Sequence, residues 1–177
     1  QQDRALESMA RELERMNRTI RDLLDFSRNE ESICGMASLK DAVSHVERLM
    51  RAQSRWRQVE FEFSASSKSV EVGMASDKLV QLLLNLCLNS CVAMDGEGKL
   101  QLTWKQIDSN IEIYVDDSGP GVAEELQREI FEPFFTTNEA GEGTGLGLSV
   151  CESILHAVGG RIWVETSPME GARFIVS

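Results

Sequence analysis

The sequence has little that would stiffen or staple a chain: 3 prolines, 1 tyrosine, 6% aromatic residues and 4 cysteines in 177 residues. Four scattered thiols, Cys34, Cys87, Cys91 and Cys151, cannot frame a disulfide-built fold and fit reduced cysteines of a cytosolic domain. Cys87 and Cys91 share a helix face, but a metal site would need two further ligands at suitable spacing and none is present. They read as small buried apolar residues. There is no run of about 18 apolar residues, which excludes a membrane-crossing helix from this stretch, and no signal-peptide pattern. The first residue is Gln1 rather than Met, as expected for a piece of something longer.

Positive charge is also scarce. Lys and Arg number 18 against 29 Asp and Glu, for a net charge of -11. Such an acidic chain is a poor partner for nucleic acid or an anionic membrane surface. A polyanionic ligand would have to arrive with a cation or meet a local nest of amides. Two phosphate-binding signatures are missing. No G-x-x-x-x-G-K-[ST] string exists, because Gly98-Lys99 is followed by Leu100. The glycine-rich stretch "GEGTGLGLSV" at 141–150 follows the polar "FFTTNEA" instead of a strand, so it is no dinucleotide fingerprint.

What is present is a core-forming pattern, with 42% hydrophobic residues, room for one domain plus an appendage. Residues 3–28 place Leu6, Met9, Leu13, Met16, Ile20 and Leu23 at steps of 3, 4, 3, 4 and 3, a heptad seam with charged flanks. One such helix cannot bury its seam alone, so pairing with a second copy is the expectation, and packing back onto its own domain is the alternative. The Ser/Asn/Glu-rich "SRNEESICGMAS" reads as a linker. A helix follows from a Ser38 cap with Asp41 in the capping-box place. The segments "VEFEF", "LQLTW", "IEIYV", "RIWVE" and "RFIV" alternate as half-buried strands. Between them lie a strong helix over 76–94, expected to start at a Ser76 cap, and a glycine-opened helix over about 146–157. The order implies an α+β, two-layer sandwich. A mixed, largely antiparallel sheet would be covered by helices on one face, with a long helix in front.

Three stretches can carry chemistry. In "GEGTGLGLSV" bare backbone can approach an anion closely, and the following helix N-terminus adds partial positive charge; a mobile surface loop is the plain alternative. In "DDSGPGV", Gly119 and Gly121 bracket Pro120 after a strand, and Asp117 ends that strand. Its carboxylate could accept from an exocyclic amino group such as adenine's, or simply close an Asx turn. Asn85 and Asn89, at i and i+4 on an almost wholly apolar helix, need partners. A carboxamide oxygen is a good hard ligand for Mg2+, although neighbouring backbone could satisfy both amides.

The four segments taken in order, Asn85/Asn89, D-x-G-x-G at 117–121, "FEPFFTT" at 131–137 and "GTGLGLS" at 143–149, resemble the histidine-kinase ATP-binding domain. That family shares its Bergerat-type fold with type II topoisomerases, heat-shock chaperones and mismatch-repair proteins. The wording "QLLLNLCLNS", "IFEPFFTT" and "GTGLGLSV" is similar to the nitrogen-regulation type of sensor kinase. Residues 1–30, with "RDLLDFSR", look like the second helix of the dimerisation and phosphoacceptor hairpin, leaving 31–177 as the catalytic ATP-binding domain. The resemblance implies that Asn89 holds Mg2+ bridging the phosphates of ATP, supported by Asn85. Asp117 would bind the adenine amino group, with Gly119 and Gly121 against the base. Phe131, Phe134 and Phe135 would anchor the front of a lid, and Gly143, Thr144, Gly145, Leu146 and Gly147 its back. The implied reaction is γ-phosphoryl transfer to a histidine, and the implied further partner is a response-regulator receiver domain. The implied setting is cytoplasmic, in a parent protein that can be membrane-anchored elsewhere.

The departures are specific. The family's acceptor histidine sits in an H-E-x-x-N/H-P-like stretch, whereas this chain has only His45 and His156, both in unlike surroundings. The acceptor is therefore expected on a missing helix or another chain, and the chain alone should not phosphorylate itself. Asn138 stands where lysine is usual, Val92 where a basic or polar residue is common, and Ala172 where a hydroxyl is usual. ATP binding is expected to persist in weaker form, with Arg128 and Lys99 as conceivable substitutes. Two other functions compete. One is a nucleotide-binding pseudokinase or scaffold that dimerises without transfer. The other is an ATP-driven clamp, disfavoured because such proteins carry glutamate where Asn85 stands.

Overall fold

The computed structural model describes residues 33–64, 70–108, 110–137 and 144–177. The heptad stretch, and with it the expected dimerisation helix, lies outside the described residues, as do Asn138 and Gly143. In chain order the elements are β1 (Ala37–Ser38), α1 (Leu39–Arg51), β2 (Gln58–Phe63), β3 (Glu71–Val72), α2 (Ser76–Ala93), β4 (Glu97–Ile107), β5 (Asn110–Asp117), α3 (Gly147–Ala157), β6 (Ile162–Thr166) and β7 (Ala172–Val176). Among the described residues no helix is long and apolar enough to cross a membrane.

Five strands form one sheet in the order β2-β4-β5-β7-β6. Only β2 and β4 run parallel; the other three pairings are antiparallel. The alternation read in the sequence decides the faces. Val59, Phe61, Leu100, Leu102, Ile113, Val115, Val164, Phe174 and Val176 point inward and are buried. Their neighbours Glu60, Glu62, Lys105 and Glu165 point to the open side and are exposed or partly so. The three helices cover the inner face, with α2 at the centre touching both α1 and α3. Leu82, Leu83 and Leu86 of α2 are completely buried and fill the middle of the core. The expected two-layer arrangement is the one observed.

Helix α1 begins as its sequence implies: Ser38 is the N-cap and its hydroxyl accepts from the Asp41 amide at 3.3 Å. Helix α2 does not. Ser76 is its first helical residue, Ala75 occupies the cap, and no side chain caps the end. The Ala75 amide is used instead by the Ile33 carbonyl at 2.9 Å, which ties the incoming chain to the helix start. That contact also corrects the linker reading. Ile33 is buried, and β1 pairs with β3 as a separate two-stranded ribbon through Ala37–Val72 and Ser38–Glu71. The end of the apparent linker is thus part of the domain. Two-residue strands carry no periodicity, which is why the sequence did not reveal them.

Candidate functional site

Asp117 ends β5 and is 1% exposed. Its Oδ1 accepts from the Gly119 amide at 2.9 Å and from the Ala172 amide at 3.0 Å. The first of these is the Asx turn that was the plainer reading of the sequence. It accounts for only half the carboxylate. Oδ2 is buried and has no hydrogen-bond partner. A buried acceptor left unpaired is costly, and such atoms are informative where they cluster. Among the described residues the buried side-chain polar atoms without partners are Trp56 Nε1, Asn89 Nδ2, Ser90 Oγ and Asp117 Oδ2. Asn89 and Ser90 belong to α2, whose C-terminal end approaches the Asp117 loop. A Cβ added at Gly119 would lie 3.3 Å from Met94 Cγ and 3.1 Å from Asp117 Oδ1. Burial pushes the Cys91 thiol on this helix up to about 12; the Arg55 cation opposes that and the Asp117 charge adds to it.

Glycine is favoured at one place in this wall and required at another. Gly121 has φ +75°, the left-handed region that follows naturally from the Pro120 turn. Gly171 lies so close to the Asp117 backbone that a Cβ there would fall 2.2 Å from the Asp117 carbonyl oxygen and 2.6 Å from the Gly119 nitrogen. Sequence reasoning missed Gly171. The available signal was a glycine directly ahead of a strand, next to the Ala172 that was noted only as a departure.

Asn85 and Asn89 project from α2 toward the first turn of α3. Asn85 Nδ2 donates to the Gly147 carbonyl at 3.4 Å, and its side chain also reaches the Cys151 thiol one turn further on. Asn89 meets Gly147 directly: a Cβ on that glycine would touch the Asn89 carboxamide at 3.6 Å. The amide nitrogen of Asn89 has no partner. Asn85 is thus engaged by its neighbours, whereas Asn89 keeps a buried, unpaired donor beside the start of α3.

The phenylalanine and glycine segments are joined to each other. Phe131 is buried in a short 3-10 helix, Glu129–Phe131, that packs on α3. Phe134 is 65% exposed at φ +68°. Its amide donates to the Gly145 carbonyl at 2.9 Å. Gly145 has φ +67°, and a Cβ there would sit 2.4 Å from the Phe134 carbonyl carbon. Thr144 Oγ1 accepts from the Leu146 amide at 3.4 Å, and Leu146 itself is a 1%-exposed core residue. Its side chain fixes the loop, and its carbonyl accepts from the Val150 amide at 2.9 Å and the Ser149 hydroxyl at 3.0 Å. Leu146 caps α3, and the Gly147 amide opens that helix beside Asn89.

The structure therefore gathers Asn85, Asn89, Gly145, Leu146 and Gly147 around the start of α3, and Asp117, Gly119 and Gly121 around the end of β5. Helix α2 connects the two groups. Lys99 is not part of either. It is held on the open face by Glu62 at 2.9 Å and Glu60 at 3.8 Å, which keeps its ammonium raised in pKa and away from the site. Arg128 is exposed. His45 and His156 are exposed on α1 and α3. Cys87 and Cys91 are buried thiols, as expected, and Cys151 is buried as well. Among the described residues no cluster of His, Cys, Asp and Glu could hold a metal.

Residues 74–177 match the family model described as histidine kinase-, DNA gyrase B- and HSP90-like ATPase. The chain belongs to this family, as a histidine-kinase catalytic domain. The sensor histidine kinase ZraS of Escherichia coli O157:H7 is 34% identical over 94% of this chain and 36% of its own length. This kinase domain therefore spans about a third of such curated relatives. The solved catalytic domain of histidine kinase ThkA is 31% identical, with a TM-score of 0.70 over 81% of this chain and 94% of that one. ThkA solved in complex with the response regulator protein TrrA is 28% identical, with a TM-score of 0.79 over 97% of this chain and 49% of that one.

Proposed function

We propose that this histidine-kinase domain holds ATP with its base against Asp117 and its phosphates at the start of α3, and transfers the γ-phosphoryl group to a histidine supplied by another segment or another chain. The observation that carries this is the unpaired, buried Oδ2 of Asp117. It is an acceptor for which the described residues supply no donor, and the exocyclic amino group of adenine is such a donor. Gly119 and Gly121 let the base lie against backbone. Phe131 anchors the front of the lid, and Thr144, Gly145, Leu146 and Gly147 form its back, offering amides and a helix N-terminus to the triphosphate.

Mg2+ fits the residues present. It is a hard cation that takes one or two protein oxygens and completes its shell with phosphate and water. Asn89 Oδ1, which would lie 3.6 Å from a Cβ on Gly147 at the start of α3, is the oxygen that would hold it, and the metal would neutralise charge on the transferring group. This also explains how so acidic a chain accepts a polyanion. Asn85 donates to Gly147 and carries no carboxylate to activate water, which favours transfer over a hydrolytic clamp. The remaining parts of the reading are a domain that extends back to about residue 31, pairing of two copies through the residue 1–30 seam, and service to a response-regulator receiver domain. The receiver partner is supported by the ThkA–TrrA relative. The last part of the reading is a cytoplasmic setting, which the four free cysteines support.

The test mixes the chain with a separately made acceptor-histidine hairpin and γ-labelled ATP. Label on the hairpin, lost in Asp117→Asn, supports the reading. Bound ATP with no label transferred to any hairpin would replace it with a nucleotide-binding scaffold.

A further inference from the structure

We propose that Arg173, through its two-pronged contact with Asp116, is the positioning residue that aims the adenine-reading carboxylate of Asp117. The proposal rests on the assignment of Asp117 to the base. Asp116 and Arg173 are direct partners at the last rung of the β5–β7 ladder. On the open face of the sheet, Arg173 Nε donates to Asp116 Oδ1 at 2.7 Å and Nη2 donates to Oδ2 at 3.0 Å. Asp116 is 1% exposed although it points away from the helices. The Tyr114 ring, with its centroid 5.1 Å from the guanidinium carbon, backs the fork. A bidentate contact of this kind fixes direction as well as distance.

One residue further, the pattern changes. The Ala172 amide does not pair with the backbone of β5; it donates to the side chain of Asp117. Asp117 Oδ1 is thus held by β7, and the place of β7 there is set by the adjacent Asp116–Arg173 rung. Gly171, whose missing Cβ lets the two backbones touch, allows this close approach. With Oδ1 fixed by two amides, the direction of Oδ2 is fixed as well. Loosening the fork frees the start of β7, lets Oδ1 lose the Ala172 amide and turns Oδ2 away from the base. Arg173 itself lies on the opposite face of the sheet and touches no nucleotide.

The experiment compares ATP with ITP, which carries a carbonyl where adenine carries its amino group. Affinities for both are measured by calorimetry on the unmodified chain, Asp117→Asn, Arg173→Gln and Arg173→Lys, and hydrogen exchange at the Ala172 amide is followed by NMR without nucleotide. Arg173→Gln is expected to lower the ATP-over-ITP preference about tenfold, with ITP affinity changed by no more than about twofold. Arg173→Lys keeps the charge without the fork and is expected to fall between. In both variants Ala172 exchange accelerates, while the Ile113–Val176 end of the same ladder stays as it was. Should Arg173→Gln fail to fold, Arg173→Lys carries the test alone. An unchanged preference and unchanged Ala172 exchange, beside a collapsed preference in Asp117→Asn, would overturn the positioning role and leave the base assignment standing. An unchanged preference in Asp117→Asn would remove the base assignment and this proposal with it.

Discussion

Asp117 separates two effects that are usually entangled, because its two oxygens have different duties. Oδ1 closes the local structure by accepting two amides, at 2.9 and 3.0 Å, and Oδ2 is left over. Asp117→Asn keeps an oxygen in the Oδ1 place and puts an NH2 group in the Oδ2 place. Folding stability then changes by under about 1 kcal/mol, the difference between a charged and a neutral acceptor. Binding changes far more. A charge-assisted bond to the adenine amino group, about 1.5–3 kcal/mol, is lost and replaced by two donors facing each other. A fall in ATP affinity of about 100-fold follows. The new amide can donate to a carbonyl, so the preference for ATP over ITP should invert. Asp117→Ala behaves differently. It removes the acceptor for both amides, and the buried Ala172 amide alone costs about 1–3 kcal/mol when unpaired. Urea unfolding and calorimetry on the two variants give the four numbers. Wild-type ATP affinity in Asp117→Asn, or an Asp117→Ala variant as stable as the parent, would refute this division of labour.

Gly145→Ala should separate the two halves of the lid. The left-handed backbone costs about 1–2 kcal/mol for a residue with a Cβ, and that Cβ meets Phe134 at 2.4 Å. ATP affinity is expected to drop at least about tenfold, with melting temperature lowered by a few degrees; equal affinity in calorimetry would count against a pinned lid. Asn89→Ala should abolish the dependence of ATP affinity on Mg2+ without unfolding the domain, as titrations with and without chelator would show. The buried thiols make stability fall in alkali. Burial raises Cys91 and Cys151 from 9.0 to about 12 and Cys87 further still. The folded state therefore keeps protons that the unfolded chain releases, and stability is intact below about pH 9 and declines above it. A flat urea midpoint from pH 8 to 11 would contradict this. Ile20→Glu should shift the chain toward monomer in analytical ultracentrifugation, and an unaltered dimer would exclude the heptad seam as the contact.

The sequence was most legible where the physical signal is periodic. Strand alternation identified all five strands of the main sheet and its buried face, and helical spacing put Asn85 and Asn89 on one side of α2. The Ser38 cap was readable because its acceptor is local. Ser76 misled because the residue before it is held by Ile33, a contact remote in sequence. Gly171 and the Asp116–Arg173 rung were invisible for the same reason: each has meaning only when β7 lies beside β5. Lys99 looked available as a cation until the parallel pairing of β2 with β4 set it between Glu60 and Glu62. Ordered motifs pointed to the ligand before geometry did, but only the structure showed which Asp117 oxygen is spoken for.

Asp116 and Asp117 are consecutive, chemically identical and turned to opposite sides of one sheet. Their different duties depend entirely on strand phase. Deleting one residue from the β4–β5 hairpin would leave the composition of this region almost unaltered. If β5 then slid by a single position, it would carry the Asp117 carboxylate outdoors and the Asp116 one indoors. Grafts and circular permutants of this domain should therefore conserve hairpin length before they conserve hairpin sequence.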